Sequence, residues 1–196
     1  MMFATFKGGS MEIREIVSKN RSYRRFYNEK KITKEELVEL VDIARLTPSA
    51  ANRQPVKYMV VADEERNAKV YETLGWAGYL KDWDGPEKEE RPTGYILILT
   101  KKDVKADIDE GIISQTIMMA AVERGMGGCI LGNIKREKLM ENLNIDEEYK
   151  VDLVLAIGYP KEEVKIVDIK DNDIKYYNDE NKIHYVPKRK LEEVLM

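Results

Sequence analysis

Three arginines and a hydroxyl crowd into one short run, Arg21-Ser22-Tyr23-Arg24-Arg25. Guanidinium groups pair bidentately with phosphate, and a serine adds a small donor that approaches closely, so the run has the chemistry of a phosphate anchor. The same residues also make an ordinary solvated basic turn. A second run, Thr47-Pro48-Ser49-Ala50-Ala51-Asn52-Arg53-Gln54-Pro55, sets small residues and two amide side chains between prolines. Small residues let a flat ring approach the backbone, while Asn52 and Gln54 can donate and accept at its polar edge.

Other chemistries find less support. Gly125-Met126-Gly127-Gly128 follows a helical pattern rather than opening one after a strand, so it is not a dinucleotide fingerprint. No Gly-Lys-Ser/Thr phosphate loop occurs. Cys129 and His184 are the only residues of their types, which leaves little for a His/Cys zinc site or a Ser-His-Asp triad. Cys129, between Gly128 and Ile130, reads as a buried structural thiol. A single cysteine also excludes an intrachain disulfide and suits a reducing compartment, so a cytoplasmic protein is expected.

With 196 residues, 43% apolar and 35% charged, the chain is long enough for one well-filled core. The net charge of −3 argues against general nucleic-acid or anionic-membrane binding, though not against a local basic pocket. No apolar run approaches the ~20 residues of a membrane span. Residues 1–10 lack the pattern of a signal peptide and read as a poorly ordered leader, with a single domain over 11–196.

Several elements must hold the two candidate runs. Ile13, Ile16 and Val17 recur at helical spacing over 11–20. Thr33-Lys34-Glu35-Glu36 predicts a capping box opening a helix over 34–46, stopped by Pro48. Strands are expected at 56–61, 95–99 and 151–157, the first of them buried, and helices at 64–74, 108–124 and 135–143. The wide, small-residue face of 108–124 suits the centre of the molecule, with Met118-Met119 as core filler. Residues 75–94 carry Trp76, Tyr79 and Trp83 in a glycine-rich, charged segment that reads as a loop. Its aromatics either contact a ligand or tack the loop onto the core. From 161 onward the chain is polar and weakly periodic, a tail expected to be loose unless something outside its own core covers it. The pattern is that of a mixed α+β domain, a sheet with helices packed on it.

Four features, in order along nearly the whole chain, resemble the FMN-dependent nitroreductase family in its compact form. They are Arg21 to Phe26; Pro48 to Pro55; the central helix from Gly111 running into the glycine-rich strand that ends at Leu131; and Val186-Pro187-Lys188-Arg189-Lys190-Leu191-Glu192-Glu193-Val194. The resemblance implies an α+β fold with a mixed, largely antiparallel sheet flanked by helices, in an intertwined homodimer with FMN at the subunit interface. It implies that Arg21, Ser22 and Arg24 hold the FMN phosphate and ribityl end, with Lys188 and Arg189 closing over the phosphate. Arg25 would face away, and Tyr23 and Phe26 would pack. Pro48, Ser49, Ala50 and Asn52 of the partner would line the isoalloxazine, with Gln54 nearby. Ile130, Leu131 and Gly132 would lie along the ring, the Gly132 amide facing N5. Three positions depart from the family pattern: Asn20 stands where an arginine is common, Val56 where a tryptophan is usual, and Gly132-Asn133 lacks the glutamate that some members place beside N5.

The expected activity is hydride transfer from NAD(P)H through flavin N5 to an electron-poor acceptor such as a nitroaromatic or quinone. No side chain is expected to act as nucleophile or essential base, because the cofactor carries the redox chemistry. Trp76, Tyr79 and Trp83 are candidates to shape the acceptor pocket. The alternatives are a protein that sequesters FMN without turnover, a flavin-fragmenting or dehalogenating relative, and a phosphate-binding domain without flavin.

Overall fold

The computed structural model describes residues 11–196, so the expected leader at 1–10 lies outside the described residues. Helix α1 (Ile13–Lys19) delivers the chain to the arginine run. Helix α2 (Lys34–Ala44) begins with the expected capping box: the Thr33 hydroxyl accepts from the Glu36 amide at 3.2 Å, and the Glu36 carboxylate accepts from the Thr33 amide at 2.8 Å. These two bonds satisfy amides that an uncapped first turn would leave open.

Strands β1 (Lys57–Val61), β2 (Gly94–Lys101), β3 (Gly127–Leu131) and β4 (Tyr149–Gly158) form an antiparallel sheet in the order β1-β2-β4-β3. Two helix layers cover it. Strand residues alternate between faces, and β2 shows this along its length. Ile96 and Ile98 join Leu37 and Leu40 of α2 and Ile117 of α4 (Asp107–Glu123) in one core. Tyr95, Leu97 and Leu99 join Val70 of α3 (Glu64–Tyr71) and Leu139 of α5 (Arg136–Leu143) in the other. Ile117, Leu139 and every apolar β2 residue but Leu99 are fully buried, so the sheet centre is dry on both sides. β1 departs from expectation. It lies at the sheet edge, pairs among the described residues only with β2, and keeps just Val61 fully buried.

The tail also differs from the loose segment expected. β5 (Val164–Asp168), β6 (Tyr177–Asn178) and β7 (His184–Lys188) form a second sheet in the order β5-β7-β6, with β5 and β7 parallel. This sheet docks on its own chain. The Arg24 amide donates to the Glu162 carboxylate at 2.9 Å, and the Lys161 amide donates to the Arg25 carbonyl at 3.0 Å.

Residues 75–94 are not a detached loop either. Trp76 is only 8% exposed and packs in the second core against Tyr71, their ring centroids 5.9 Å apart. Trp76 is therefore a packing residue, a correction to its expected place in an acceptor pocket. Among the described residues no helix is long and apolar enough to cross a membrane.

Candidate functional site

The arginine run is tied to the main sheet by backbone. Ser22 bridges Gly128 of β3, and the Tyr23 amide donates to the Gly128 carbonyl at 2.9 Å. Gly128 itself has no room for a side chain, because β4 and α4 pack directly against it. A Cβ there would lie 2.2 Å from the Ala156 carbonyl oxygen and 3.1 Å from the Met118 side chain. Phe26, fully buried, anchors the far end of the run beside Pro160.

These connections leave a cleft of about 240 Å³ between the run, α4, β3 and the tail sheet. Arg21, Ser22, Arg24 and Lys188 line it, and no aspartate or glutamate does. Ile130, 39% exposed, supplies an apolar wall, while Leu131 points to the opposite side of β3 into the core. Lys188 reaches the cleft because His184, Val186 and Lys188 alternate on one face of β7.

The guanidinium groups are partly committed and partly open. Arg21 donates through Nη2 to the Val17 carbonyl at 2.8 Å, and burial lowers its pKa. Arg24 is only 7% exposed. Its Nη1 donates to the Ser22 carbonyl at 3.2 Å and meets His184 Nε2 at 3.1 Å. The Nε of each arginine is buried without a partner among the described residues. Buried donors left open at a basic cleft fit an anion with several acceptor oxygens.

Not every expected residue gathers here. Arg189 turns away, towards Asn172 at 3.5 Å and Glu193 at 4.0 Å, which corrects its expected place over the phosphate. Arg25 also turns away, as expected, lying 3.6 Å from Glu90 and over the Trp83 ring. Tyr79 is 47% exposed and packs against Tyr176, the rings tilted by 54° with centroids 5.0 Å apart; Trp83 is half-buried, and Tyr79 and Trp83 border a shallow depression with Asn178. Gly132 is exposed at the end of β3, its carbonyl accepting from Arg136 Nη2 at 3.2 Å.

The 48–55 loop lies elsewhere in the same chain. The Ser49 hydroxyl and the Ala50 amide donate to the Asp109 carboxylate at 2.6 and 3.2 Å, and the Gln54 amide donates to the Ser49 hydroxyl at 2.9 Å. Ala51, Asn52 and Gln54 hold positive φ angles of 50°, 53° and 49°, a strained backbone kept by these bonds. Asp109 is in the first turn of α4, whereas Gln115 and Met118 of the same helix border the basic cleft. The separation along the helix is roughly 9–14 Å. Within one chain, the amide loop and the basic cleft are therefore two separate surfaces. Pro48, Ser49, Ala50, Asn52 and Gln54 belong to one, and Arg21, Ser22, Arg24, Ile130 and Lys188 to the other.

Sequence reasoning passed over four residues that shape these surfaces: Asp109, Glu162, Tyr176 and His184. Burial raises the Glu162 pKa. Burial, helped by the charge of Arg24, lowers that of His184 to about 4. His184 sits two and four residues before Val186 and Lys188, a strand-face signal visible once 184–188 is read as a strand.

The model of the nitroreductase family matches residues 17–78 and 99–159, which covers the arginine run, the 48–55 loop, α4 and β3. The chain belongs to the nitroreductase family. Relatives agree over most of its length. An Archaeoglobus fulgidus protein named "Putative NADH dehydrogenase/NAD(P)H nitroreductase" is 29% identical over 164 residues, spanning 78% of this nitroreductase-family chain and 87% of the relative. An iodotyrosine deiodinase of Thermotoga neapolitana is 25% identical over 167 residues, spanning 74% and 87%. Among solved structures, a "putative nitroreductase in complex with FMN" from Exiguobacterium sibiricum superposes with a TM-score of 0.67 at 20% identity, covering 86% of this chain and 98% of that one. At that identity the likeness is one of fold.

Proposed function

We propose that this nitroreductase-family chain is an FMN-dependent oxidoreductase, working as a homodimer, that draws reducing equivalents from NAD(P)H. The observation that carries the reading is the basic cleft: three cationic side chains, no lining carboxylate, and two buried arginine donors left open. Arg21, Arg24 and Lys188 hold the cofactor phosphate, and the Ser22 hydroxyl donates to it. Ile130 and the exposed end of β3 at Gly132 lie along the flavin. The 48–55 loop of a second copy covers the ring, which gives the strained loop a role its own chain does not supply. When bound, FMN supplies the redox chemistry, accepting hydride from the nicotinamide and passing reducing equivalents to an electron-poor acceptor such as a nitroaromatic or quinone. The protein's share is to fix the phosphate, present the Gly132 backbone to the ring and keep one face open. Tyr79 and Trp83 border the approach to that face.

Reductive dehalogenation is a second reading, favoured by the iodotyrosine deiodinase relatives from Thermotoga neapolitana and Haliscomenobacter hydrossis, at 25% and 24% identity. The test is anaerobic titration of the FMN-loaded protein with NADH and NADPH, followed at the flavin absorbance. The reduced protein is then mixed with a nitroaromatic, a quinone and a halogenated phenol. Bleaching followed by recovery with the nitroaromatic or quinone is expected. Recovery with the halogenated phenol alone supports the second reading, and no bleaching by either nicotinamide leaves an FMN carrier.

A further inference from the structure

Arg24 is buried yet has no carboxylate on its guanidinium, so something else must fix its orientation. Its Nη1 has two acceptors, the Ser22 carbonyl and His184 Nε2. Its plane is held by Tyr176, whose ring lies 4.7 Å from the Arg24 Cζ. Tyr176 also packs against His184, the rings tilted by 51° with centroids 5.1 Å apart. His184 is 1% exposed, and its other nitrogen, Nδ1, lies 2.6 Å from Asn178 Oδ1.

These partners dictate one tautomer. Arginine can only donate, so His184 Nε2 must be bare and accept. Asn178 Oδ1 can only accept, so Nδ1 must carry the proton. Turning the Asn178 amide over would face its NH2 to Nδ1 and force the proton onto Nε2, against the guanidinium. A single neutral form of the imidazole satisfies both neighbours.

The consequence lies on the far side of the guanidinium. With Nη1 occupied, the Nε–Nη2 edge remains, and its Nε is buried without a partner. That edge is the fork that grips two oxygens of one phosphate. We propose that His184 is a positioning residue for the phosphate-binding arginine, holding Nη1 so that Arg24 presents its Nε–Nη2 edge to the cleft before any ligand arrives. The ring itself does not touch the phosphate, because both of its nitrogens are engaged. The inference rests on the flavin reading above and adds to it a residue whose chemistry is fixed by the protein alone. It also explains why the tail sheet packs here: β7 brings both Lys188, which meets the ligand, and His184, which aims its partner.

Two measurements test it. The chain has one histidine, so long-range proton–nitrogen NMR of the flavin-free wild type reports this ring without assignment. A protonated Nδ1 and a bare Nε2 at pH 7.5 are expected; an Nε2–H tautomer overturns the proposal. The second is FMN affinity of apoprotein, read by quenching of flavin fluorescence. His184→Phe keeps the ring contact with Tyr176 and removes the acceptor, and should weaken FMN about ten-fold with riboflavin affinity unchanged. His184→Gln, which can place an oxygen near the Nε2 position, should stay within about three-fold of wild type. In an Arg24→Ala background His184→Phe should add less than about two-fold, the non-additivity of residues acting through one contact. A folded His184→Phe protein with wild-type FMN affinity overturns the proposal. If that variant does not fold, the His184→Gln affinity and the wild-type tautomer decide. A wild type that takes up no FMN contradicts the functional reading, while the tautomer still decides the His184–Arg24 geometry.

Discussion

Acidification of the flavin-free protein gives a sharp test of the His184 environment. In the unfolded chain the imidazole takes a proton near its ordinary value of 6.5, while in the folded protein it does so only near 4, because burial and then the charge of Arg24 oppose it. Between those values the unfolded state binds a proton that the folded state refuses. Stability is therefore full above about pH 6.5, falls as pH drops towards 4, and levels off below. At ~1.4 kcal/mol per pH unit, the loss amounts to about 3 kcal/mol across that window. Glu162 and Glu110, whose carboxyl pKa values are raised by burial, act in the opposite sense and gain stability as pH falls. Both are shared with a His184→Gln variant, so they cancel in the difference. Urea unfolding of both proteins from pH 8 to pH 4 should show the wild type losing about 3 kcal/mol relative to the variant, whatever their offset at pH 8. Parallel pH profiles would refute the reasoning.

Other perturbations reach other parts of the structure. Gly128→Ala sets a Cβ 2.2 Å from the Ala156 carbonyl oxygen, with backbone on both sides of the conflict. It should cost about 3 kcal/mol or more in urea unfolding. FMN affinity should fall with it, since Ser22 bridges this residue; wild-type values for both would contradict the packing. Asp109→Ala removes the acceptor of Ser49 and Ala50. Limited trypsin digestion should then cut after Arg53 at least several-fold faster than in wild type, and an unchanged rate would mean that Asp109 does not hold the loop. Thr33→Ala breaks the capping box of α2 and should lower stability by about 1 kcal/mol, measured by urea midpoint at constant slope.

Sequence pattern made β1, β2, β4 and the helices α2 to α5 legible because each buries apolar residues of its own, whereas α1 shows helical spacing yet buries none. The Thr33–Glu36 box and the continuous apolar run of β2 are read from adjacent residues and hold in the structure. What escaped is what depends on distant partners. β1 has a strand composition, but composition does not tell an edge from a centre. Trp76 sits among glycines and charges, and only the packing of α3 against the sheet reveals it as core. The tail is polar because much of its small sheet is exposed and His184, Val186 and Lys188 of β7 face the basic cleft, so no hydrophobic pattern announces it. Residue type singled out Arg21, Ser22 and Arg24 and the family resemblance added Lys188, and these four line one cleft. The family resemblance placed Arg189 beside Lys188 over the phosphate, but neighbouring residues on an extended chain point to opposite sides. His184 was set aside as a lone histidine, and its partners are 160 and 6 residues away.

Comparing FMN with riboflavin tests the central claim most directly, because the two ligands differ only in the phosphate. If Arg21, Ser22, Arg24 and Lys188 hold that group, wild-type apoprotein should bind FMN at least ~100-fold more tightly than riboflavin, each charged hydrogen bond contributing about 1.5–3 kcal/mol. Arg24→Ala should shrink the ratio roughly ten- to one-hundred-fold by weakening FMN alone. Equal affinities in the wild type, or a ratio untouched by Arg24→Ala, would contradict the assignment of this cleft to the cofactor phosphate.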